Sequence, residues 1–247
     1  MADGIYDRLN GIGVHEVIIE SPDHATDLDS LPLQNIEDCL QAFQSRILDL
    51  KKNTRLHYIL IFKNHGEAAG ATLEHTHSQL IALPIVPELV SDELAGARRF
   101  FETRNLCIFC AIIAQDKKDG NRVVIENDRF LTLCPYAPRF PFEMWLLPKF
   151  HSARFEDMDA EDIAQLARLL KETLLRMRRA LDGPPFNLVL HTSPVNGNHG
   201  KHYHWHIEIM PKLTKMAGFE QGTGFYINPV FPESAAETLR NIKIQSS

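Results

Sequence analysis

Apolar residues recur at three-to-four spacing in two stretches: Ile36, Leu40, Phe43, Ile47, Leu50, and Ile163, Leu166, Leu169, Leu170, Leu174. That period lines one face of a helix, so amphipathic helices are predicted over 33–51 and 160–181. Asp182-Gly183-Pro184-Pro185 stops the second. Short runs rich in β-branched and aromatic residues read as strands over 16–20, 58–63, 123–125, 130–134, 143–147 and 186–191. A charged helix over 88–103 bridges the two halves. Residues 116–121 read as an exposed turn, and the Asn- and Gly-rich stretch 195–201 as a loop.

Laid on itself, the chain repeats. A strand, then Ser21-Pro22-Asp23-His24, a long helix, a strand, a loop and His75-x-His77 form the first pass. A strand, then Pro148-Lys149-Phe150-His151, a long helix, a strand, a loop and His204-x-His206 form the second, at nearly the same spacings. The expected fold class is therefore α+β: two repeats, each an antiparallel sheet with a packed helix, dividing the chain as 1–103 and 104–247.

Composition narrows the chemistry. A net charge of −6 over 247 residues offers no basic face for a nucleic-acid backbone. No apolar run approaches the roughly 18 residues that span a bilayer, and no cationic-then-apolar leader opens the chain. The four cysteines, two of them as Cys107-x-x-Cys110, suit a reducing compartment. The expectation is a cytoplasmic protein acting on small molecules, with neither nucleic acid nor membrane as partner.

Two thiolates three residues apart bind one metal through a tight turn, and zinc then needs two more N or S ligands. The repeat supplies His151 and His204, with His202 as an alternative fourth ligand. Packed thiols are the plainer reading, and a redox role is disfavoured because no helix is read as opening at the pair. His24 and His75 hold the same places in the first half, yet no Cys-x-x-Cys precedes them, so a well-occupied metal is not expected there. In an extended His-x-His-x-Gln run, His75, His77 and Gln79 share a face. His77 then lies beside the loop 64–72, whose small residues let backbone N–H groups approach a phosphate, with Thr72 adding a hydroxyl. A neutral imidazole facing phosphorus is a competent nucleophile, which makes His77 the candidate reactive group and Gln79 a non-titrating donor. Ordinary packed histidines are the bland alternative.

Gly66-Glu67-Ala68-Ala69-Gly70-Ala71-Thr72, His75-Thr76-His77-Ser78-Gln79, Cys107-Ile108-Phe109-Cys110, Pro141-Phe142-Glu143-Met144-Trp145 and the stretch 219–229 together resemble the galactose-1-phosphate uridylyltransferase family. This is a two-repeat branch of the histidine triad superfamily, and the nearest part of it is the ADP-glucose phosphorylase-like branch. The resemblance runs over about 13–242. It implies a ping-pong transfer: His77 takes a nucleoside monophosphate from a nucleoside-diphosphate sugar and passes it to phosphate or a sugar phosphate. It also implies phosphate or substrate contacts at Asn64, Gly70, Thr72, Gly224, Phe225 and Asn228, and a homodimer. Under the same resemblance, zinc is held by Cys107, Cys110, His151 and His204, and His24 and His75 match two of the four ligands of a further site. Family members carry a further segment ahead of Gly13, so the first repeat is expected to be incomplete. Glu93 matches a metal-binding carboxylate of other members, but a solvated helix face is the expectation here. His206 is expected to be structural or a minor metal ligand. A histidine-triad hydrolase or phosphorylase, and an inactive nucleotide-binding paralogue, are the competing readings.

Overall fold

The computed structural model describes residues 2–8, 10–24 and 27–244. A small hairpin, β1 (Ala2–Asp3) and β2 (Tyr6–Asp7), precedes the main body. Strand β3 (Val14–Ile19) then leads to helix α1 (Leu33–Leu50), β4 (Tyr58–His65) and β5 (His77–Leu83). Helix α2 (Glu88–Arg104) and helix α3 (Ile108–Asp119) join the halves. The second half runs β6 (Val123–Glu126), β7 (Phe130–Leu133), β8 (Met144–Pro148), α4 (Ala160–Leu181), β9 (Phe186–His191) and β10 (His206–Pro211). Two short helices, α5 (Gly218–Thr223) and α6 (Pro232–Arg240), close it.

Eight strands form one antiparallel sheet in the order β3-β5-β4-β9-β10-β8-β7-β6. The order β3-β5-β4 matches β8-β10-β9 element for element, so the predicted repeat is a pseudo-two-fold in three dimensions. Its seam is the β4–β9 pair, where Asn64 faces Asn187 in register. Asn187 Nδ2 donates to Asn64 Oδ1 at 2.8 Å across that seam.

Both long helices lie on one face of the sheet. The stripe Ile36, Leu40, Phe43, Ile47, Leu50 of α1 and the stripe Ile163, Leu166, Leu169, Leu170, Leu174 of α4 are all buried in one core with Ile59, Ile61, Leu80, Leu188 and Ile207. Asp159 caps α4 by accepting from the Asp162 N–H at 2.8 Å, and Arg178 and Arg179 sit at its C-terminal end, where the helix dipole favours cations. On the opposite face α2 packs Val90 and Leu94 against Tyr58 and Tyr203. Strand β10, covered on both sides, is buried along its whole length.

The structure corrects the sequence reading at the joint between repeats. Residues 116–119 end helix α3, and Asp116 is buried and paired with Arg122 at 2.5 Å rather than lying in an exposed turn. Cys107 is the N-cap of α3, so a helix does open at Cys-x-x-Cys, though not in a thioredoxin-like unit. The helix escaped notice because its buried residues, Phe109, Ile113 and Asp116, form a narrow stripe that includes a carboxylate.

Candidate active site

Strand alternation divides the residues around the first His-x-His. Leu80 and Ala82 turn to the helical core, so Thr76 and Ser78 face that side, while His77 and Gln79 face the other. On the core side lies a buried ion pair. Lys63 Nζ reaches Glu20 Oε2 at 2.8 Å, Thr76 Oγ1 at 2.9 Å and the His77 carbonyl at 3.1 Å. Thr76 and Ser78 donate their hydroxyls to the two Glu20 oxygens, each at 2.6 Å. Neither charge has water to lean on, since their side chains are 2% and 1% exposed. Each ammonium proton and both carboxylate oxygens are engaged, which is what makes such a pair tolerable.

Lys63, Asn64, Thr72 and His77 line a cavity of about 320 Å³. The His77 ring is held by its Nδ1–H, which donates to the His75 carbonyl at 2.7 Å. A carbonyl oxygen only accepts, so the neutral ring carries its proton on Nδ1 and keeps a lone pair on Nε2. The loop beside it turns through Gly66 (φ 79°) and Gly70 (φ 89°), a conformation that L side chains rarely adopt. At Gly66 a Cβ would also stand 3.0 Å from the Pro185 side chain. Asn64 Nδ2 donates to the Gly70 carbonyl at 3.5 Å, and Asn187 Nδ2 donates to that of Ala69 at 2.8 Å, tying the loop to the seam.

Not all predicted residues gather there. Gln79 Oε1 bonds His15 Nε2 at 3.0 Å on the neighbouring strand and does not line the cavity. His75 precedes the strand and turns to His24: their Nδ1 atoms are 3.3 Å apart, and His75 Nε2 donates to the Ser21 carbonyl at 2.5 Å. Gly224 ends α5, Phe225 is exposed, and Asn228 donates to the Pro138 carbonyl at 3.3 Å, so none of the three lines the His77 cavity of the same chain. Lys63, Glu20 and Asp27, which borders the cavity, were missed by sequence reasoning. A lysine ending an otherwise apolar strand at a core-facing position was the available signal.

Cys107, Cys110, His151 and His204 form a second centre, with one ligand atom from each lying within 4.8 Å of all the others. His151 Nδ1 is 3.4 Å and His204 Nδ1 3.6 Å from Cys110 Sγ. Each ring donates its other nitrogen to a backbone carbonyl, His151 to Gly200 at 2.7 Å and His204 to Pro148 at 3.0 Å. Hydrogen bonding from Cys110, with His204 alongside, holds the Cys107 thiol well below the usual thiol range. The donor set and its outer carbonyls fit a tetrahedral metal. His202 is not in this group; it borders another cavity with His199.

Glu93 is the clearest correction. It is not a solvated helix face but points inward from α2, with its carboxylate 3.6 Å from His206 Nε2, 3.5 Å from His191 Nδ1 and 3.2 Å from the Tyr203 hydroxyl. The alternating apolar and charged residues of α2 hid this, because α2 buries its stripe against only part of the sheet. His191 stacks on His206 with centroids 4.6 Å apart, and its Nε2 lies 3.3 Å from Glu208, which in turn pairs with Arg139. Burial opposes the His191 charge, yet Glu208 and Glu93 beside it raise its pKa to about 10. Burial likewise opposes the Glu208 charge, but His191 and Arg139 bring it down to about 2. Glu93, His191 and His206 also form a second group whose donor atoms could hold a metal ion.

A family model described as "Domain of unknown function (DUF4921)" matches residues 31–244. The chain is 39% identical over 236 residues to an ADP-glucose phosphorylase of Arabidopsis thaliana, covering 95% of this chain and 66% of that one, so it spans about two thirds of that relative's length. It is 32% identical over 250 residues to a galactose-1-phosphate uridylyltransferase of Thermotoga maritima, covering 98% of this chain and 78% of the relative. Among solved structures, an Arabidopsis ADP-glucose phosphorylase with bound ADP-glucose superposes with a TM-score of 0.90 at 38% identity, over 96% of this chain and 76% of that one. A uridylyltransferase superposes with a TM-score of 0.91 at 30% identity, over 97% and 78%.

Two outcomes follow from the buried charges. Lys63→Met strands the Glu20 carboxylate in the interior and should cost about 3–5 kcal/mol, while Lys63→Met combined with Glu20→Leu should cost less than the single change. Urea denaturation of both variants and of Glu20→Leu alone gives the coupling; if the double variant loses as much as the two singles together, the ion pair contributes nothing. In chelator-treated protein, the raised His191 pKa contributes stability that is complete below pH 6.5 and lost as pH rises towards 10. The depressed Glu208 pKa contributes stability present above 4.5 and lost as pH falls towards 2. Glu208→Gln should therefore flatten both arms of the unfolding free energy against pH, and unchanged arms would refute the assignment.

Proposed function

From the premise that the chain belongs to the galactose-1-phosphate uridylyltransferase family of nucleotidyltransferases, and to the group matched by the DUF4921 model, we propose that it moves a nucleoside monophosphate through His77. The donor is a nucleoside-diphosphate sugar, and the acceptor is phosphate or a sugar 1-phosphate. The observation that carries this reading is the Nδ1–H bond from His77 to the His75 carbonyl, which leaves Nε2 as a lone-pair nucleophile at a cavity wall.

In the first half-reaction His77 Nε2 forms a bond to the α-phosphorus. The bond from that phosphorus to the bridging oxygen breaks, and sugar 1-phosphate leaves with the electron pair. The imidazole now carries positive charge, and the His75 carbonyl dipole stabilises it through the Nδ1–H. In the second half-reaction an oxygen of the acceptor phosphate attacks the same phosphorus and returns the lone pair to Nε2. Lys63 holds the His77 backbone from behind. Asn64 and the Gly66–Gly70 turn shape the wall that receives phosphate, and Thr72 offers its hydroxyl. Gln79 spends its Oε1 on His15 and lies outside the cavity wall, so its role as a donor to a non-bridging oxygen requires its amide to turn towards the bound phosphate.

Zinc at Cys107, Cys110, His151 and His204 is part of the same proposal, supported by the convergent Nδ1 and thiol donors and their backbone-anchored rings. Zinc there would tie α3 to the ends of β8 and the loop before β10. His24 and His75 supply two imidazoles in the matching geometry and need two further ligands to hold an ion. A homodimer fits the apolar surface on the open side of the sheet, where Val17 and Ile19 are 47% and 56% exposed. A homodimer would also let Gly224, Phe225 and Asn228 serve a substrate site, which on one chain they do not reach. No described helix is long and apolar enough to cross a membrane. Four free cysteines suit a reducing, cytoplasmic setting. The division at 103/104 is proposed as a boundary between repeats that share one sheet.

Intact mass spectrometry after incubation with ADP-glucose or UDP-glucose should show a gain of one nucleoside monophosphate, whose mass identifies the base. His77→Gly should abolish the gain. An unsubstituted chain that takes up neither nucleotide would sink the covalent reading, and free nucleoside monophosphate released without an acceptor would mark a hydrolase. Elemental analysis should find about one zinc per chain, with Cys107→Ser and Cys110→Ser each losing most of it and lowering the melting temperature. Zinc content unaffected by either change would remove the metal from this site.

A further inference from the structure

We propose that the cleft between α2 and the loop following β9 is a second binding site, distinct from the His77 cavity, for a small phosphomonoester of nucleotide size. The cleft encloses about 510 Å³, with Arg98 and Arg99 of α2 on one wall and His199 and His202 of the loop on the other. Six of the fifteen arginines of this acidic chain are spent on carboxylates: Arg46, Arg122, Arg129, Arg139, Arg176 and Arg178 each have one. Arg98 and Arg99 make no ion pair and no side-chain hydrogen bond among the described residues. Glu102 lines the same cleft without closing onto either.

The opposite wall carries an independent sign. His199 Nδ1 is buried and has no hydrogen-bond partner among the described residues. Such an atom is costly unless something fills it. A phosphate oxygen would accept from that nitrogen when it is protonated, while the planar guanidinium forks match two oxygens at once. The cleft is larger than a bare phosphate requires, and Val86, Leu94 and Pro194 offer apolar surface to the rest of a ligand.

Pseudo-symmetry explains why a phosphate site should lie here. The loop after β9 stands in the second repeat where the loop after β4 stands in the first, and His206 stands where His77 stands. His206 does not line this cleft; its Nε2 lies 3.6 Å from the Glu93 carboxylate instead. The cleft therefore offers guanidinium and imidazole donors without a counterpart of the His77 ring in its wall. The site binds and does not transfer; its symmetry relation to a phosphate site rests on the reading of the His77 cavity as one, whereas the unpaired arginines and the buried His199 nitrogen do not.

Calorimetric titration of the full chain with AMP, and separately with inorganic phosphate, tests this. Arg98→Glu combined with Arg99→Glu should remove one AMP per chain relative to the unsubstituted protein, whatever the His77 cavity contributes, and His199→Ala should weaken the same event at least tenfold. The nucleotidyl adduct on His77 should form as before in these variants, so loss at this site is separable from failure of the transfer reading. Equal AMP stoichiometry in the arginine variant and the unsubstituted chain would overturn the proposal. So would affinity for AMP no better than for inorganic phosphate, which would leave the apolar wall without a role.

Discussion

Everything that positions chemistry in this molecule hangs on the pairing of β4 with β9. That ladder joins two copies of the same strand-helix-strand-strand unit into one sheet and sets their register at Asn64 and Asn187. A slip of one residue would turn every side chain of one repeat to the wrong face. It would also break the Asn187 amide bonds to Asn64 and to the Ala69 carbonyl, which hold the loop beside His77. Backbone pairing, side-chain amides and the shape of the cavity wall are thus consequences of one alignment.

The two repeats put the same His-x-His device to opposite uses. In each, the first histidine donates Nε2–H to a backbone carbonyl, and the second donates Nδ1–H to the carbonyl of the first. The inner geometry is shared, so the difference lies in what meets the second ring. His77 meets a cavity bordered by small residues. His206 meets Glu93, His191 and, through them, Glu208 and Arg139. A buried carboxylate in front of Nε2 makes the His206 ring part of an ionic core, and α2 is the element that delivers it. Duplication supplied the template, and a single bridging helix made the halves unequal.

Much of this was legible in the chain because the signals were periodic or doubled. The helical stripes of α1 and α4, the repeated order of elements, and the candidate donor set Cys107, Cys110, His151 and His204 all follow from spacing, and the structure brings those four side chains together. What stayed hidden depends on tertiary placement. Glu93 reads as solvent-facing because its helix is charged on most sides, and only the sheet beneath α2 decides that it turns inward. Asp116 reads as a turn residue because Arg122, its partner, lies beyond the helix it ends. Lys63 and Glu20 sit 43 residues apart in the chain and are joined only when β3, β5 and β4 assemble. The His-x-His run reads as a strand with three side chains on one face, whereas β5 starts at His77 and leaves His75 free to turn to His24.

That last difference carries a mechanistic argument. Were His75 within the strand, its carbonyl would be shared with the ladder rather than left to the Nδ1–H of His77. Because the strand begins two residues later, at His77, the carbonyl is available, and the tautomer of the His77 ring follows from where a strand starts. The ring of His75 is anchored in turn by Ser21, and Ser21 follows Glu20, the residue that holds Lys63, Thr76 and Ser78. One short segment at the end of β3 therefore fixes the His77 imidazole from two directions, through a backbone carbonyl on one side and a buried ion pair on the other. Transfer chemistry needs a nucleophile that is aimed before substrate arrives, since orientation supplied in advance is not drawn from binding energy. The end of β3 provides that orientation, which is why the residues that explain His77 lie more than fifty positions away from it in the chain.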